Sequence, residues 1–297
     1  SMIALKLKEE YNLNPLLVTF SPMIPTEIGV HNREELIKKG FDHLLLRPNQ
    51  DISRYLAKRF FVERGNPKVS WDAGVTATPL QVAIKYKIPL VIYAEHGESE
   101  FGGKVLSKNH MKERDVNEFL EHLVGDDPFN WVDEKVSERD LAPYLFPELD
   151  ILKKNNIKPI YFTYFFKWNI LDNLNYVSNR INFKLAPNNR TDGTFTNFDS
   201  LDDKIDNLYY YMQLIKFGFG RSVRDASRLI MYNEISRKKG LENVLKFDHE
   251  FPNTYLDYVL DYLDLKKTEL LNIIDKHRNV EIWEQKKENW KLKFDFK

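Results

Sequence analysis

Apolar positions along the chain fall into two rhythms. Four short runs, Leu16 to Phe20, His43 to Leu46, Ile88 to Ala94 and Ile160 to Phe166, are too brief and too uniformly apolar for half-exposed strands or amphipathic helices, and they predict buried strands. Between them the apolar spacing widens to three and four. Ile52, Tyr55, Leu56 and Phe60 share one helical face, as do Leu80, Ala83 and Ile84 after Thr78-Pro79, where Thr can cap and Pro fits a first turn. Ser1 to Tyr11 also reads as a helix, with Ile3 and Leu7 on one side and no strand ahead of it. Strand alternating with helix predicts an α/β domain: a parallel sheet with helices on both faces, right-handed crossovers, and a ligand site beyond the carboxyl ends of the strands.

Residues 112 to 150 predict a helical insertion, with Val116, Phe119, Leu120 and Leu123 in register and Gly125 as a stop. Beyond about residue 198 the pattern is helical throughout. Leu201, Ile205, Leu208, Met212 and Ile215 form a stripe beginning at Ser200, with Asp203 spaced for a capping box, and short helices follow to residue 278. The expected organisation is an α/β domain over residues 1–197 and a helical C-terminal region over residues 198–297. The tail from Trp283 to Lys297 has no predicted place, and no repeat or low-complexity segment occurs.

Composition narrows the classes. The 297 residues suffice for a large core, and Lys plus Arg equals Asp plus Glu at 44 each, so no general attraction to a polyanion is expected. Nucleic acid is therefore not an expected partner, because the basic residues are interspersed with acids. The chain has no cysteine, which removes thiolate metal sites and a cysteine nucleophile. No apolar run reaches the roughly 18 residues of a membrane span, so a soluble cytoplasmic protein is expected.

The strand ends carry the candidate chemistry. Glu95-His96-Gly97-Glu98-Ser99-Glu100-Phe101-Gly102-Gly103 sets three carboxylates and a histidine behind a buried strand, followed by a Gly pair that lets backbone approach a ligand. Oxygen ligands of this kind suit Mg²⁺ on phosphates, and a solvated acidic turn is the alternative. Lys216-Phe217-Gly218-Phe219-Gly220-Arg221 closes one helix and opens another, placing two cations around a Gly-x-Gly turn that suits phosphate oxygens. A plain helix stop at Gly218, with Lys216 facing the dipole, accounts for half of that motif equally well. Asp202-Asp203 reads first as acids in the opening turn of a 200–217 helix. Ser222 to Val244 reads as a solvated helical pair with Arg224, Arg228, Arg237 and Lys238 outward, rather than as a helix-turn-helix. HExxH, GxxxxGK[ST] and GxGxxG are all absent.

Four segments together resemble the N-acetyl-sugar amidotransferase family, a branch of the PP-loop (N-type ATP pyrophosphatase) superfamily in bacterial surface-polysaccharide synthesis. They are Val18 to Gly29 (VTFSPMIPTEIG), Ile88 to Gly103 (IPLVIYAEHGESEFGG), Asp192 to Asn197 (DGTFTN) continuing through Ser200 to Asp206 (SLDDKID), and Lys216 to Arg221 (KFGFGR). The resemblance runs from the start of the chain to about residue 255. It implies a PP-loop fold of the adenine-nucleotide alpha-hydrolase type, whose first strand and SGGxDS loop are missing from these residues. Ser1-Met2-Ile3-Ala4 resembles the last Ser of that loop and the helix after it, although a Ser preceding an initiating Met2 reads the same. The family's cysteine-rich amino-terminal segment has no counterpart here.

The resemblance further implies ATP and Mg²⁺ as cofactors, a nucleotide-linked N-acetyl sugar as substrate and a separate glutaminase as the source of ammonia. Ser1, Thr19, Phe20, Ser21, Gly218 and Gly220 would then hold the nucleotide. Glu95, Glu98 and Glu100 would handle Mg²⁺ or the incoming amine, and His96, Gly97, Gly102, Gly103, Asp202 and Asp203 would face the sugar. Lys216, Arg221 and Glu98 would be catalytic, the two cations neutralising pyrophosphate or the adenylated transition state. A tRNA-modifying PP-loop activity and a non-catalytic relative that binds nucleotide sugar or glutaminase are the alternatives.

Overall fold

The computed structural model describes residues 1–94, 112–113, 125–286 and 289–294. The fold is mixed α/β and divides into two compact units interleaved along the chain. The first unit comprises residues 1–22, 33–53 and 69–181, and the second comprises residues 23–32, 54–68 and 182–297.

The predicted strands all form, as two parallel pairs rather than one sheet. In the first unit β1 (Leu17–Phe20) pairs in parallel with β2 (His43–Leu46), Leu17 opposite His43 and Phe20 opposite Leu46. Likewise β3 (Leu90–Tyr93) pairs in parallel with β4 (Lys158–Tyr161). Among the described residues β1 has no other strand partner than β2, and β3 no other than β4. A groove of about 510 Å³ lies along β1 and β3, lined by Leu17, Val18, Leu90 and Ile92, and by Ile3 and Leu7 of α1 (Met2–Tyr11). The fourth apolar run is a strand only to Tyr161; Phe162–Tyr164 turns into a 3₁₀ segment.

Helix α2 (Glu27–Ile37) and helix α3 (Gln50–Arg64) each cross from one unit to the other. Helix α4 (Val69–Tyr86) corrects the prediction of a helix beginning at Thr78-Pro79. It starts nine residues earlier and carries Pro79 in its interior, where the missing N–H and the ring normally cost about 3 kcal/mol. Burial outweighs that cost: Val69, Ala73, Ala77, Leu80 and Ala83 are all within the core, and Thr78 lies inside the helix and so does not act as a cap. Leu80, Ala83, Val91, Tyr93, Leu152, Ile157 and Tyr161 form one cluster that ties α4 to β3, β4 and α5 (Leu149–Lys154). The Tyr93 hydroxyl meets its burial by donating to the Thr76 carbonyl at 2.7 Å.

The proposed 112–150 helical insertion is corrected where it is described: Pro128–Trp131 and Glu138–Tyr144 are short 3₁₀ segments, and its Val116 to Leu123 register lies outside the described residues. Trp131 and Tyr144 are fully buried and explain the local shape, since two bulky rings packed together suit compact turns better than one long amphipathic face. The unit continues through α6 (Ile170–Ser178), capped by the Asn169 side chain, which accepts from Leu171 N at 2.9 Å.

The second unit is helical as expected, with α7 (Asp206–Phe217), α8 (Arg221–Met231), α9 (Arg237–Phe247), α10 (Leu256–Leu263) and α11 (Lys267–Lys276). The stripe Leu201, Ile205, Leu208, Met212 and Ile215 is buried throughout. Its helix, however, begins at Asp206 and not at Ser200. The tail forms an antiparallel pair, β5 (Trp283–Lys286) with β6 (Asn289–Leu292), anchored by buried Trp283, whose Nε1 donates to Ile215 O at 2.9 Å. Among the described residues no helix is long and apolar enough to cross a membrane.

Candidate functional site

Three of the four segments that carry the family resemblance contribute to the second unit, and there they are wired together through buried carboxylates. The Val18 to Gly29 segment enters at Met23. Met23 N and Ile24 N donate to Asp203 Oδ2 and Oδ1 at 2.7 and 3.0 Å, while Thr26 N donates to the Asp202 carbonyl at 3.1 Å and Thr26 Oγ1 to the Leu201 carbonyl. This is why the Asp203 capping box fails: its carboxylate is consumed by backbone donors some 180 residues away in sequence, and the helix starts only after it. Burial pushes the Asp203 carboxyl up and the charge of Asp206 adds to that, while Lys68 opposes it. Lys68 Nζ is itself buried and meets Asp206 Oδ1 at 2.5 Å.

The Asp192 to Asn197 segment packs on α8. Thr194 Oγ1 and Thr196 Oγ1 donate to Asp225 Oδ2 at 2.6 and 2.7 Å, and Ser222 Oγ donates to Gly193 O at 2.8 Å. Asp225 and Arg221 lie four apart on that helix and are each 1% exposed, with Arg221 Nε 3.8 Å from Asp225 Oδ2. Arg221 Nη2 donates to the Asp199 carbonyl at 2.5 Å, and its guanidinium lies over the Tyr210 ring. Arg224 pairs with Asp199 at 2.6 Å and Arg228 with the same carboxylate at 3.5 Å. Burial alone would raise Asp199, but Arg224, Arg221 and Arg228 together hold its carboxyl below the usual range. The expected helical pair α8–α9 is present, yet Arg224 and Arg228 face inward, a correction whose reason is this aspartate partnership.

The Lys216 to Arg221 turn splits between its two readings. Gly218 takes φ +80°, the left-handed stop of α7, with its N–H on Leu214 O at 2.9 Å. Lys216 Nζ donates to Arg64 O at 2.8 Å, and burial lowers its pKa. Gly220 N donates to Asp248 Oδ2 at 2.8 Å, and a Cβ on Gly220 would stand 2.9 Å from that carboxylate. Arg221, 1% exposed, is held within the unit by the Asp199 carbonyl, the Asp225 carboxylate and the Tyr210 ring.

Asp248, 2% exposed, also accepts from Val223 N at 3.1 Å. Burial pushes its carboxyl up to about 6, against the pull of the Gly220, Val223 and Ser222 amides. The native state therefore keeps a proton that an unfolded Asp, with a pKa of about 3.9, would release. This group's contribution to stability is full below about pH 4 and is lost as pH rises through about 6. Urea unfolding should show a stability gain of about 1 kcal/mol from this group between about pH 7 and pH 5, out of a full contribution of about 3 kcal/mol reached below about pH 4. Asp248→Asn should remove that gain, read as the difference between the two pH profiles.

A cavity of about 270 Å³ opens in the same unit, lined by the 186–192 loop, Thr26 and Ile28, Ser200 and Leu201, Asn207, and the 250–255 segment. Arg190 forks onto Glu250 at 2.6 and 2.7 Å, and Glu250 also accepts from Gly193 N at 2.9 Å. The Arg190 hydrogen bond holds the Glu250 carboxyl below its ordinary value. Asp192 accepts from Thr254 N and Thr254 Oγ1 at 2.9 and 2.6 Å. Arg190, Asn207, Asp225, Asp248 and Glu250 were not among the residues expected from sequence; only the Arg221–Asp225 spacing of four was a readable signal.

The other expected residues lie in the first unit or outside the described residues. Thr19 Oγ1 contacts His43 Nε2 at 2.9 Å across the β1–β2 pair, Phe20 is buried, and Ser21 Oγ donates to Pro22 O at 3.1 Å. Ser1 lines the groove along β1 and β3. Glu95, His96, Gly97, Glu98, Glu100, Gly102 and Gly103 lie outside the described residues, among which no group of three or more His, Asp and Glu side chains is placed to hold a metal ion.

No curated protein matches the chain. Residues 192–295 match the family described as LPS biosynthesis protein WbpG-like, C-terminal domain. That segment contains the whole Asp225–Asp199–Asp248 network, and its similarity to WbpG-like proteins supports a role for this chain in LPS biosynthesis.

Proposed function

We propose that the chain acts as an ATP-dependent, AMP-forming amidotransferase on a nucleotide-linked N-acetyl sugar in LPS or related surface-glycan biosynthesis. The observation that carries the reading is that the segment similar to WbpG-like proteins holds both the DGTFTN and the KFGFGR motifs. The two parallel strand pairs are also compatible with it, since parallel pairing is what an α/β sheet of the expected type is built from.

The chemistry follows from the weakness of an amide as an electrophile. The acetamido oxygen attacks the α-phosphorus of ATP and pyrophosphate leaves; ammonia then adds to the imidate carbon, and the former amide oxygen departs with AMP. The sugar loses one oxygen and gains one NH. The chain has no cysteine for thiol-dependent glutamine hydrolysis, so ammonia comes from a separate glutaminase in this scheme. Thr19 to Ser21, at the carboxyl end of β1, is where such a sheet would receive the nucleotide. The acidic 95–100 segment has the oxygen chemistry that Mg²⁺ on phosphates requires.

The test incubates the protein with ATP, Mg²⁺, ammonium and UDP-linked acetamido sugars carrying ¹⁸O in the amide. The expected result is AMP bearing the label, together with an acetamidino sugar. AMP without a changed sugar would redirect the search to another acceptor, and no AMP under any condition would replace this reading with that of a binding relative.

A further inference from the structure

Asp192-Gly193 is the chain's one Asp-Gly step, and no Asn-Gly occurs. Such a step is chemically labile. The Gly amide nitrogen attacks the side-chain carbon of the protonated Asp carboxyl, the amide proton and the hydroxyl leave as water, and a succinimide ring closes. Water then opens the ring at either carbonyl, and opening at the backbone carbonyl leaves an isoaspartyl linkage with the side-chain methylene inserted in the main chain. Glycine permits the closure best because it has no Cβ to obstruct the ring.

The turn favours that glycine for its own reason. Thr194 N donates to Thr191 O at 3.3 Å, and Gly193 takes φ +76°, the sign that the third residue of a type II turn requires. A Cβ there would meet nothing within 4 Å, so backbone conformation and not crowding calls for glycine.

The 250–254 segment holds both reacting groups. Gly193 N donates to Glu250 Oε2 at 2.9 Å, and Arg190 fixes Glu250 with bonds of 2.6 and 2.7 Å. The Asp192 carboxylate accepts from Thr254 Oγ1 at 2.6 Å and from Thr254 N at 2.9 Å, which sets the orientation of its plane. Closure demands the opposite of each. The amide nitrogen has to leave its peptide plane, which breaks the bond to Glu250, and the carboxyl has to turn its face to that nitrogen and away from Thr254. The Gly193 carbonyl is held too, by Ser222 Oγ at 2.8 Å.

We infer that Asp192-Gly193 is a latent isoaspartyl site and that Glu250 and Thr254 keep it closed. Rearrangement would lengthen the main chain at the head of the DGTFTN segment and take the Asp192 carboxylate off Thr254. With Thr194 and Thr196 pinned to Asp225, the added atom has no slack to enter downstream. The reaction is the chain's own and does not depend on the amidotransferase reading.

The experiment incubates the full chain at about 37 °C and about pH 7, digests it, and identifies the linkage at residue 192 by electron-transfer fragmentation. A free peptide of residues 188–197 is the unprotected reference, and thermal unfolding beforehand establishes that each variant is folded. The wild type should convert at least tenfold more slowly than the peptide. Glu250→Ala and Thr254→Val should each convert several times faster than the wild type, whereas Thr196→Val, which loosens the same segment without touching either bond, should match it. No conversion in the peptide, wild-type conversion as fast as the peptide's, or folded Glu250→Ala and Thr254→Val no faster than the wild type would overturn the inference. So would Thr196→Val as fast as Thr254→Val, which would make general loosening the cause, or Glu250→Ala slower than the wild type, which would make that carboxylate a base promoting closure.

Discussion

Asp225→Ala is expected to lower the unfolding free energy by about 3–5 kcal/mol, the cost of removing one partner from a buried ion pair. The carboxylate is 1% exposed and accepts from two threonine hydroxyls at 2.6 and 2.7 Å while facing Arg221 at 3.8 Å and Arg224 at 3.3 Å. Its loss strands two hydroxyls and leaves Arg221 charged in a site from which water is excluded. Asp225→Asn separates the causes, because it preserves volume and one acceptor oxygen while deleting the charge. Thr194→Val and Thr196→Val should each cost only about 1–2 kcal/mol, since each removes a single hydrogen bond and buries a methyl in place of the hydroxyl. Urea unfolding curves with unchanged slopes would measure all four; an Asp225→Ala loss no larger than that of a single threonine variant would show that Arg221 is neutralised elsewhere.

Gly29→Ala should cost up to about 3 kcal/mol, the upper part of the usual range for overpacking. A Cβ built there stands 2.4 Å from Asp202 Cα and 2.7 Å from its Cβ, and the nearest atom is backbone, which cannot swing aside. The contact sits beside the Met23 and Ile24 bonds to Asp203, so relief of the clash moves the 23–29 segment off the 201–204 loop. Thr26, Ile28, Ser200 and Leu201 belong to the cavity wall, whose shape should change along with stability. Thermal unfolding reads the loss of stability. Gly29→Ala with wild-type melting would mean that the 23–29 segment is not pinned to Asp202.

Motif recognition and structure met at different depths. The DGTFTN and KFGFGR segments stand out by their residues alone, but what they do in the fold differs from what their residue types suggest. Arg221 is a positive charge beside a Gly-x-Gly turn, an appealing phosphate ligand on paper, and it is buried against Asp225 and the Asp199 carbonyl. Asp203 has capping-box spacing and instead holds the Met23 and Ile24 amides. For Asp203 the local capping propensity is worth about 1 kcal/mol, and two hydrogen bonds from a distant backbone segment outweigh it; Arg221 is held by a carboxylate one turn along its own helix.

The sequence by itself determined the four strands, the buried stripe from Leu201 to Ile215 and the helical character of the C-terminal third, because short apolar runs and 3.6-residue periodicity are written into neighbouring residues. It also showed the absence of cysteine and the balance of charge, which limit the chemistry available to the chain. Only the tertiary structure decided where helices begin: α4 runs through Pro79 because its face is buried, and α7 starts late because Asp203 is taken. It alone assembled the cavity, whose walls come from residues 26–28, 186–192, 200–207 and 250–255. No local pattern encodes such a set, because the free energy that selects it comes from contacts between segments many residues apart, and those contacts exist only once the chain has folded.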